Sequence, residues 1–253
     1  MINGDDSMIF ETLSVHRNGP LPNSRPRIHL YGDWLPEMGF VHGALVQAVP
    51  ETDGFVFNLR NKNINYGDLF DETKEKSGTL VSVFISHNSF CPGPSLVTTG
   101  WHIGKGGLKI GDTLIAKCEY GQIRARKISE NMRLVSVASV KARGKTIPRL
   151  WLRSGLMNGI NFTPDTLVTA ASEPGCITFT AHDKGIVYSD IVRFARQNKM
   201  KLIQVTVHGG EPLLNITGSC IDRAGFVIGD MLAACFEQGC IRLQKFDPKR
   251  FGF

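Results

Sequence analysis

The chain repeats one pattern four times, and a repeating sequence folds as one small unit copied and packed against its neighbours. Segments 26–59, 94–127, 148–181 and 212–244 each open on a proline (Pro26, Pro94, Pro148, Pro212) followed by a short apolar stretch. Six residues on stand Gly32, Gly100, Ser154 and Gly218; thirteen on, Gly39, Gly107, Asn161 and Gly225; seventeen on, Gly43, Gly111, Asp165 and Gly229. At twenty-seven come Gly121, Gly175 and Gly239, and copy one offers Gly54 one residue late. Glycine recurring at fixed offsets marks backbone positions where a side chain is strained.

The local patterns predict the unit. Runs 9–15, 80–86, 134–140 and 202–207 read as strands by alternation and β-branching; the second and third share Leu-Val-Ser-Val. A second strand follows each proline, then a short amphipathic helix (34–38 in copy one, 219–224 in copy four) ended by a glycine suited to a left-handed C-cap. Phe40, Leu108, Phe162 and Phe226 follow as apolar plugs, and a hairpin closes the unit. The copies pair into two halves. The insert that begins Tyr66-Gly67-Asp68-Leu69 recurs as Tyr188-Ser189-Asp190-Ile191, 122 positions later, and residues 190–198 have helical apolar spacing. The expected organisation is a flexible start at 1–7, a first half at 8–131 (units 8–64 and 80–131, insert 65–79), a second half at 132–247 (units 132–183 and 200–247, helical insert 184–199), and a loose tail at 248–253.

An apolar content of 42% is enough for a core. No apolar run reaches the roughly 20 residues needed to span a bilayer, and no secretory signal precedes the first strand. The six cysteines form no C-x-x-C pair; Cys176 and Cys240 share one strand position, where the other copies have Phe55 and Gln122. Unpaired strand thiols and a cytoplasmic location follow. The seven histidines and six cysteines show no metal-ligand spacing. Gly104-Lys105-Gly106-Gly107 lacks the phosphate-loop frame, and Gly107 is explained as a repeat turn. No cofactor is expected.

Charge is concentrated. Residues 105–153 hold twelve Lys and Arg against three acids, a balance of +9 in a chain of net +6. A dense basic stretch predicts a polyanion partner, because neutralised phosphates release counterions. The candidate nucleic-acid contacts are Lys105, Lys109, Arg124, Arg126, Lys127, Lys141, Arg143, Lys145, Arg149 and Arg153, with Arg27 at the position in copy one that Arg149 fills in copy three. Copies two and four have Ser95 and Leu213 there, so only two of the four units offer that arginine. Arg124 and Arg126 alternate on one strand and share a face, and residues 141–145 read as a loop that clamps backbone.

Motif order and spacing resemble the SymE-type version of the AbrB swapped-hairpin domain. Copy three shows Arg133-Leu134-Val135-Ser136-Val137, Pro148-Arg149-Leu150-Trp151-Leu152 and Gly175-Cys176-Ile177-Thr178-Phe179; copy one shows Gly32-Asp33-Trp34-Leu35 and Gly39-Phe40; copy four shows Ala224-Gly225-Phe226 and Gly239-Cys240-Ile241. The resemblance implies a mainly β fold with short helices, in which four AbrB-like swapped-hairpin units form two fused pseudo-dimers. It also implies nucleic-acid binding, DNA ahead of RNA, by a toxin-like (toxin–antitoxin), regulatory or nucleoid-associated protein, with a further homodimer compatible. SymE-type proteins have been regarded as RNA-cleaving, so an endoribonuclease is a second reading; its acid–base candidates are His29 near Arg27 and His102 near Lys105, with His29 expected to face solvent. A protein-binding or antitoxin-like scaffold is the third. A basic patch gathered on one face favours the first two; scattered charge with a broad apolar patch favours the third.

Overall fold

The computed structural model describes residues 9–20, 24–60, 65–87, 93–142, 144–183 and 185–253. The expected flexible start at 1–7, Cys91 and Arg143 lie outside them. The chain is mainly β with short helices and divides into two compact units: Met1–Glu130 with Phe251–Phe253, and Asn131–Arg250.

In the first unit β1 (Ile9–Asn18) and β2 (Arg25–Tyr31) lead into helix α1 (Trp34–Glu37) and the hairpin β3 (Leu45–Glu51) and β4 (Gly54–Arg60). After helix α2 (Tyr66–Glu75) the plan repeats as β5 (Thr79–Ser82), β6 (Phe84–Ser86), β7 (Gly93–Thr99), α3 (Trp101–Lys105), β8 (Thr113–Glu119) and β9 (Gln122–Lys127). The second unit runs β10 (Met132–Ser136), β11 (Ala138–Ala142), β12 (Lys145–Arg153), α4 (Leu156–Gly159), β13 (Leu167–Glu173) and β14 (Cys176–Ala181). Helix α5 (Tyr188–Gln197) follows, then β15 (Lys201–Gln204), β16 (Thr206–His208), β17 (Glu211–Thr217), α6 (Ser219–Arg223), β18 (Met231–Glu237) and β19 (Cys240–Lys245).

The first strand of each copy serves two partners. Ile9–Ser14 pairs with β8, a hairpin strand of the other copy, and Val15–Asn18 pairs with β2 of its own copy. The other copies divide the same way: β5 pairs β3 while β6 pairs β7, β10 pairs β18 while β11 pairs β12, and β15 pairs β13 while β16 pairs β17. The two copies within each unit therefore interlock. The switch point is a buried valine every time: Val15, Val83, Val137 and Val205. Each donates its amide to, and accepts one from, the turn of the companion copy, as in Val15 N to Asp112 O (2.9 Å) and Gly111 N to Val15 O (2.8 Å). A β-branched residue holds the extended backbone at this corner while burying its methyls. The nine-stranded sheet β5-β3-β4-β9-β8-β1-β2-β7-β6 stays continuous through unbroken β1; in the second unit the break at Val137 leaves a six-stranded sheet, β10-β18-β19-β14-β13-β15, and a four-stranded one, β11-β12-β17-β16.

The repeat glycines are the left-handed positions. Gly39, Gly107 and Gly225 have φ of 87°, 76° and 74°, and Asn161 takes 69° in their place. Gly43, Gly111 and Gly229 are matched by Asp165 at 67°. Asn and Asp are the side chains that best tolerate this region. The hairpin turn corrects the sequence reading: Asp53, at φ 53°, occupies the position of Gly121, Gly175 and Gly239. Gly54 serves a different need, since a Cβ there would lie 2.5 Å from the Ala125 carbonyl oxygen. Gly54, not Phe55, is therefore the counterpart of Gln122, Cys176 and Cys240.

Each unit has its own core. Leu35, Ile103, Met157 and Ile221 point inward from the four short helices, and the plugs Phe40, Leu108, Phe162 and Phe226 are buried beside them. The plug amide caps the helix, Phe40 N to Leu35 O and Phe162 N to Met157 O both at 2.9 Å, which is the bond of a Schellman C-cap. The first insert, read only as a counterpart of the second, is likewise a ten-residue helix. The tail expected to be loose closes in a 3-10 turn at Pro248–Phe251, and the Phe253 ring stands 5.9 Å from that of Phe10.

Candidate nucleic-acid interface

The basic stretch at 105–153 is divided between the units: Lys105, Lys109, Arg124, Arg126 and Lys127 belong to the first, and Lys141, Lys145, Arg149 and Arg153 to the second. Three of the first group meet. The β3–β4 turn, the C-terminal ends of α2 and α3, and the outward face of β9 enclose a cleft of about 850 Å³. Lys76, Lys105, Arg124 and Arg126 line it, with Glu51 and Asp53 as the acids. The local sequence explains the convergence. Ile123 and Ala125 point into the core, so Arg124 and Arg126 must point out. Gly106 is obligatory, because a Cβ there would strike the Gly54 carbonyl oxygen.

The cations are only partly paired. Lys105 Nζ donates to Ser77 Oγ at 3.0 Å and sits 4.3 Å from the centre of the Trp101 ring, which is 63% exposed. Arg124 Nε is 3.4 Å from Glu51 Oε2, within ion-pair reach but without hydrogen-bond geometry. Arg126 Nε has no hydrogen-bond partner among the described residues. Lys76 is paired with Glu72 at 2.6 Å, an exposed i,i+4 contact that a ligand can outcompete. Four cations against Glu51, Asp53 and the Lys76 partner Glu72 leave an open cleft with room and donors for a phosphate group; the guanidinium forks offer paired N–H groups to its oxygens.

The other predicted residues have different roles. Lys127 Nζ is bound to Asp112 Oδ1 at 2.8 Å, and Asp112 Oδ2 accepts the Lys109 amide at 2.7 Å. The hydrogen bond to Asp112 holds the Lys127 ammonium above its ordinary value. Lys245, Asp230 and Val227 repeat this lock in the second unit, at 2.8 Å and 3.0 Å. Lys127 thus pins a repeat turn. Lys109 is exposed in that turn. Arg27 lies on the outer face of β2 and does not line the cleft.

In the second unit Lys141 and Ala142 end β11 and pair with Thr146 and Lys145 of β12, and Gly144 takes φ 77°. Lys141 and Lys145 are exposed where these two strands end and begin. Arg149, Trp151 and Arg153 alternate outward from β12. The Arg149 guanidinium lies 4.2 Å from the Trp151 ring centre and donates through Nε to Asn215 at 3.1 Å, while Arg153 pairs with Glu211 at 2.7 Å. The Trp151 ring also meets His208 edge-on at 5.2 Å.

His102 is buried, with Nε2 2.7 Å from Thr98 Oγ1, and burial lowers its pKa. It is a core residue, closed to any substrate. His29, expected to face solvent, is half-buried in a separate cleft of about 520 Å³ that includes Glu11, His16, Tyr31 and Trp34. Burial, with Arg27 and His16, lowers the His29 pKa, and burial raises that of Glu11. Among the described residues no cluster of three His, Cys, Asp or Glu suits a metal ion, and no helix is long and apolar enough to cross a membrane. The five described cysteines are free, and burial, then Glu11, push Cys118 up to about 12.

Sequence reasoning missed Lys76, which lies outside the basic stretch. Its signal was the insert helix, whose C-terminus falls beside the β3–β4 turn. The chain matches no family model, no curated protein and no solved structure.

Proposed function

We propose that this chain is a nucleic-acid-binding protein of SymE/AbrB swapped-hairpin type, DNA preferred over RNA, with a toxin-like or regulatory role. One observation carries the binding: Lys76, Lys105, Arg124 and Arg126, from two helix ends and one strand, converge on a single open cleft. The interlocking of copies through the divided first strand supports the swapped-hairpin reading. The cleft contributes phosphate contacts, which position a nucleic acid without reading its bases. Trp151 with Arg149 is a stacking surface of the kind that holds unpaired bases. Anisotropy titrations of labelled duplex DNA and single-stranded RNA at two salt concentrations test this reading. Binding that weakens steeply with salt is expected; salt-independent binding, or none, overturns it.

RNA cleavage is the second reading, and the Glu11–His29 cleft favours it. Glu11 and His29 line one partly buried cleft, where burial raises the carboxyl's pKa and lowers the imidazole's, and a carboxyl beside an imidazole is the pairing that acid–base cleavage uses. His29→Ala should then abolish RNA shortening while leaving binding intact; shortening that persists in the variant rejects this site.

A further inference from the structure

The cations of the first-unit cleft have repeat counterparts that the distribution of charge along the sequence conceals. Helices α2 and α5 begin 122 residues apart, at Tyr66 and Tyr188, and both are followed by a residue in the left-handed region, Ser77 at φ 58° and Lys199 at φ 53°. The turn following Glu51 is matched by the turn following Glu173. The end of α3 at Lys105 is matched by the end of α6 at Arg223, and Arg124 on β9 by Arg242 on β19. The contacts repeat as well as the register. Lys105 Nζ reaches Ser77 Oγ at 3.0 Å, and Arg223 Nη1 reaches the Lys199 carbonyl oxygen at 2.8 Å. The turn of copy three docks on the end of α6 through Gly175 N to Ala224 O at 2.8 Å.

The individual residues have changed while a positive excess remains. Lys76 becomes Asn198, Ser77 becomes Lys199, Arg126 becomes Gln244 and Asp53 becomes Gly175. The first unit sets four cations against Glu51, Asp53 and Glu72, the partner of Lys76; the second sets Lys199, Arg223 and Arg242 against Glu173, so each keeps a positive excess. Lys105 and Arg223 alone could be attributed to the helix dipole, but Arg124 and Arg242 stand on strands. The same positions in copies one and three hold Glu37 and Val56, and Gly159 and Thr178. The cations occur only where an insert helix adjoins the turn.

We infer that Lys199, Arg223 and Arg242 form a second backbone-phosphate site, so that one chain binds two nucleic-acid segments; this rests on the nucleic-acid reading above. Lys199, Arg223 and Arg242 are all exposed, and neither arginine is ion-paired among the described residues.

The test is the stoichiometry of a duplex of about 10 base pairs, roughly one helical turn, binding to the full chain. Calorimetric titrations compare wild type, R223A/R242A, the charge reversal R242E, and K105A/R124A/R126A, with circular dichroism melts as the folding control. Two duplexes per chain are expected, falling to one in each altered protein, with no binding when both sets are combined. One duplex per chain, lost in K105A/R124A/R126A and unaffected by R223A/R242A and R242E, overturns the second site and leaves the nucleic-acid reading standing. No binding in wild type overturns both. Displacement of the duplex by millimolar inorganic phosphate at constant ionic strength would assign the two sites to a small anion and overturn the polymer assignment.

Discussion

Helices α2 and α5 hold the same place in the two units by different chemistry. In the first, buried Thr73 accepts a hydrogen bond from Gln47 at 2.7 Å and gives its own to the Leu69 carbonyl, while Arg60 pairs with Glu72 at 3.0 Å. In the second, Ala195 and Ile191 stand where Thr73 and Leu69 do, and Thr169, the counterpart of Gln47, turns to His182 Nε2 at 3.0 Å. The helix hydroxyl has been exchanged for a methyl group, and the strand residue's hydrogen bond goes to His182 instead. What the repeat preserves is backbone: four buried valines at the strand switch, four left-handed positions after the helices, and the Asp–Lys lock in copies two and four. Side chains that only fill space or meet solvent have been free to diverge.

The comparison can be broken first where the units are most alike. Phe40 and Phe162 are both fully buried plugs, so Phe40→Ala and Phe162→Ala should each cost about 3–5 kcal/mol in urea denaturation. A loss below about 1 kcal/mol in either would show that the two cores are not equivalent.

The helix contacts sharpen the contrast. Thr73→Ala strands the buried Gln47 amide and should cost about 1–3 kcal/mol. The double change Q47T/T73A, which copies the second unit, should recover most of that loss. Failure of the double variant to recover would mean the two helices are docked by something beyond this pair.

The Asp–Lys lock gives a pH effect. Burial alone would raise the Asp230 carboxyl, but hydrogen bonds from Lys245 and the Val227 amide prevail and hold it below its ordinary value of 3.8. Its contribution to stability is therefore complete above the unfolded carboxyl's titration and is lost as pH falls through the lower folded value. An NMR titration should show Asp230 ionised to lower pH in the protein than in a peptide; an equal midpoint contradicts the lock. The smallest effect belongs to the turn: Asn161→Gly relieves a left-handed side chain and should stabilise by at most about 1 kcal/mol.

Much of this was legible because the repeat supplies an internal comparison. The plugs, the left-handed glycines and the α5 span follow from spacing alone. Asp53 escaped because Gly54 beside it is also obligatory, for close approach to Ala125 instead of for φ. The basic stretch read as one surface because sequence proximity ignores the division at Glu130–Asn131. Lys127 counted as a phosphate contact because its acid, Asp112, lies fifteen residues back. Lys76, Arg223 and Arg242 were hidden because each stands outside the charge run: Lys76 is found by its place at the end of the insert helix, and the two arginines by repeat register.

The central claim is that phosphates are held at the first-unit cleft. Its most direct test is the salt dependence of duplex DNA affinity for wild type and K105A/R124A/R126A, by anisotropy. Three lost contacts should flatten the slope of log affinity against log salt by about 2.7, roughly 0.9 for each phosphate, while K127A leaves the slope unchanged. An unaltered slope and affinity in the triple variant would contradict the account.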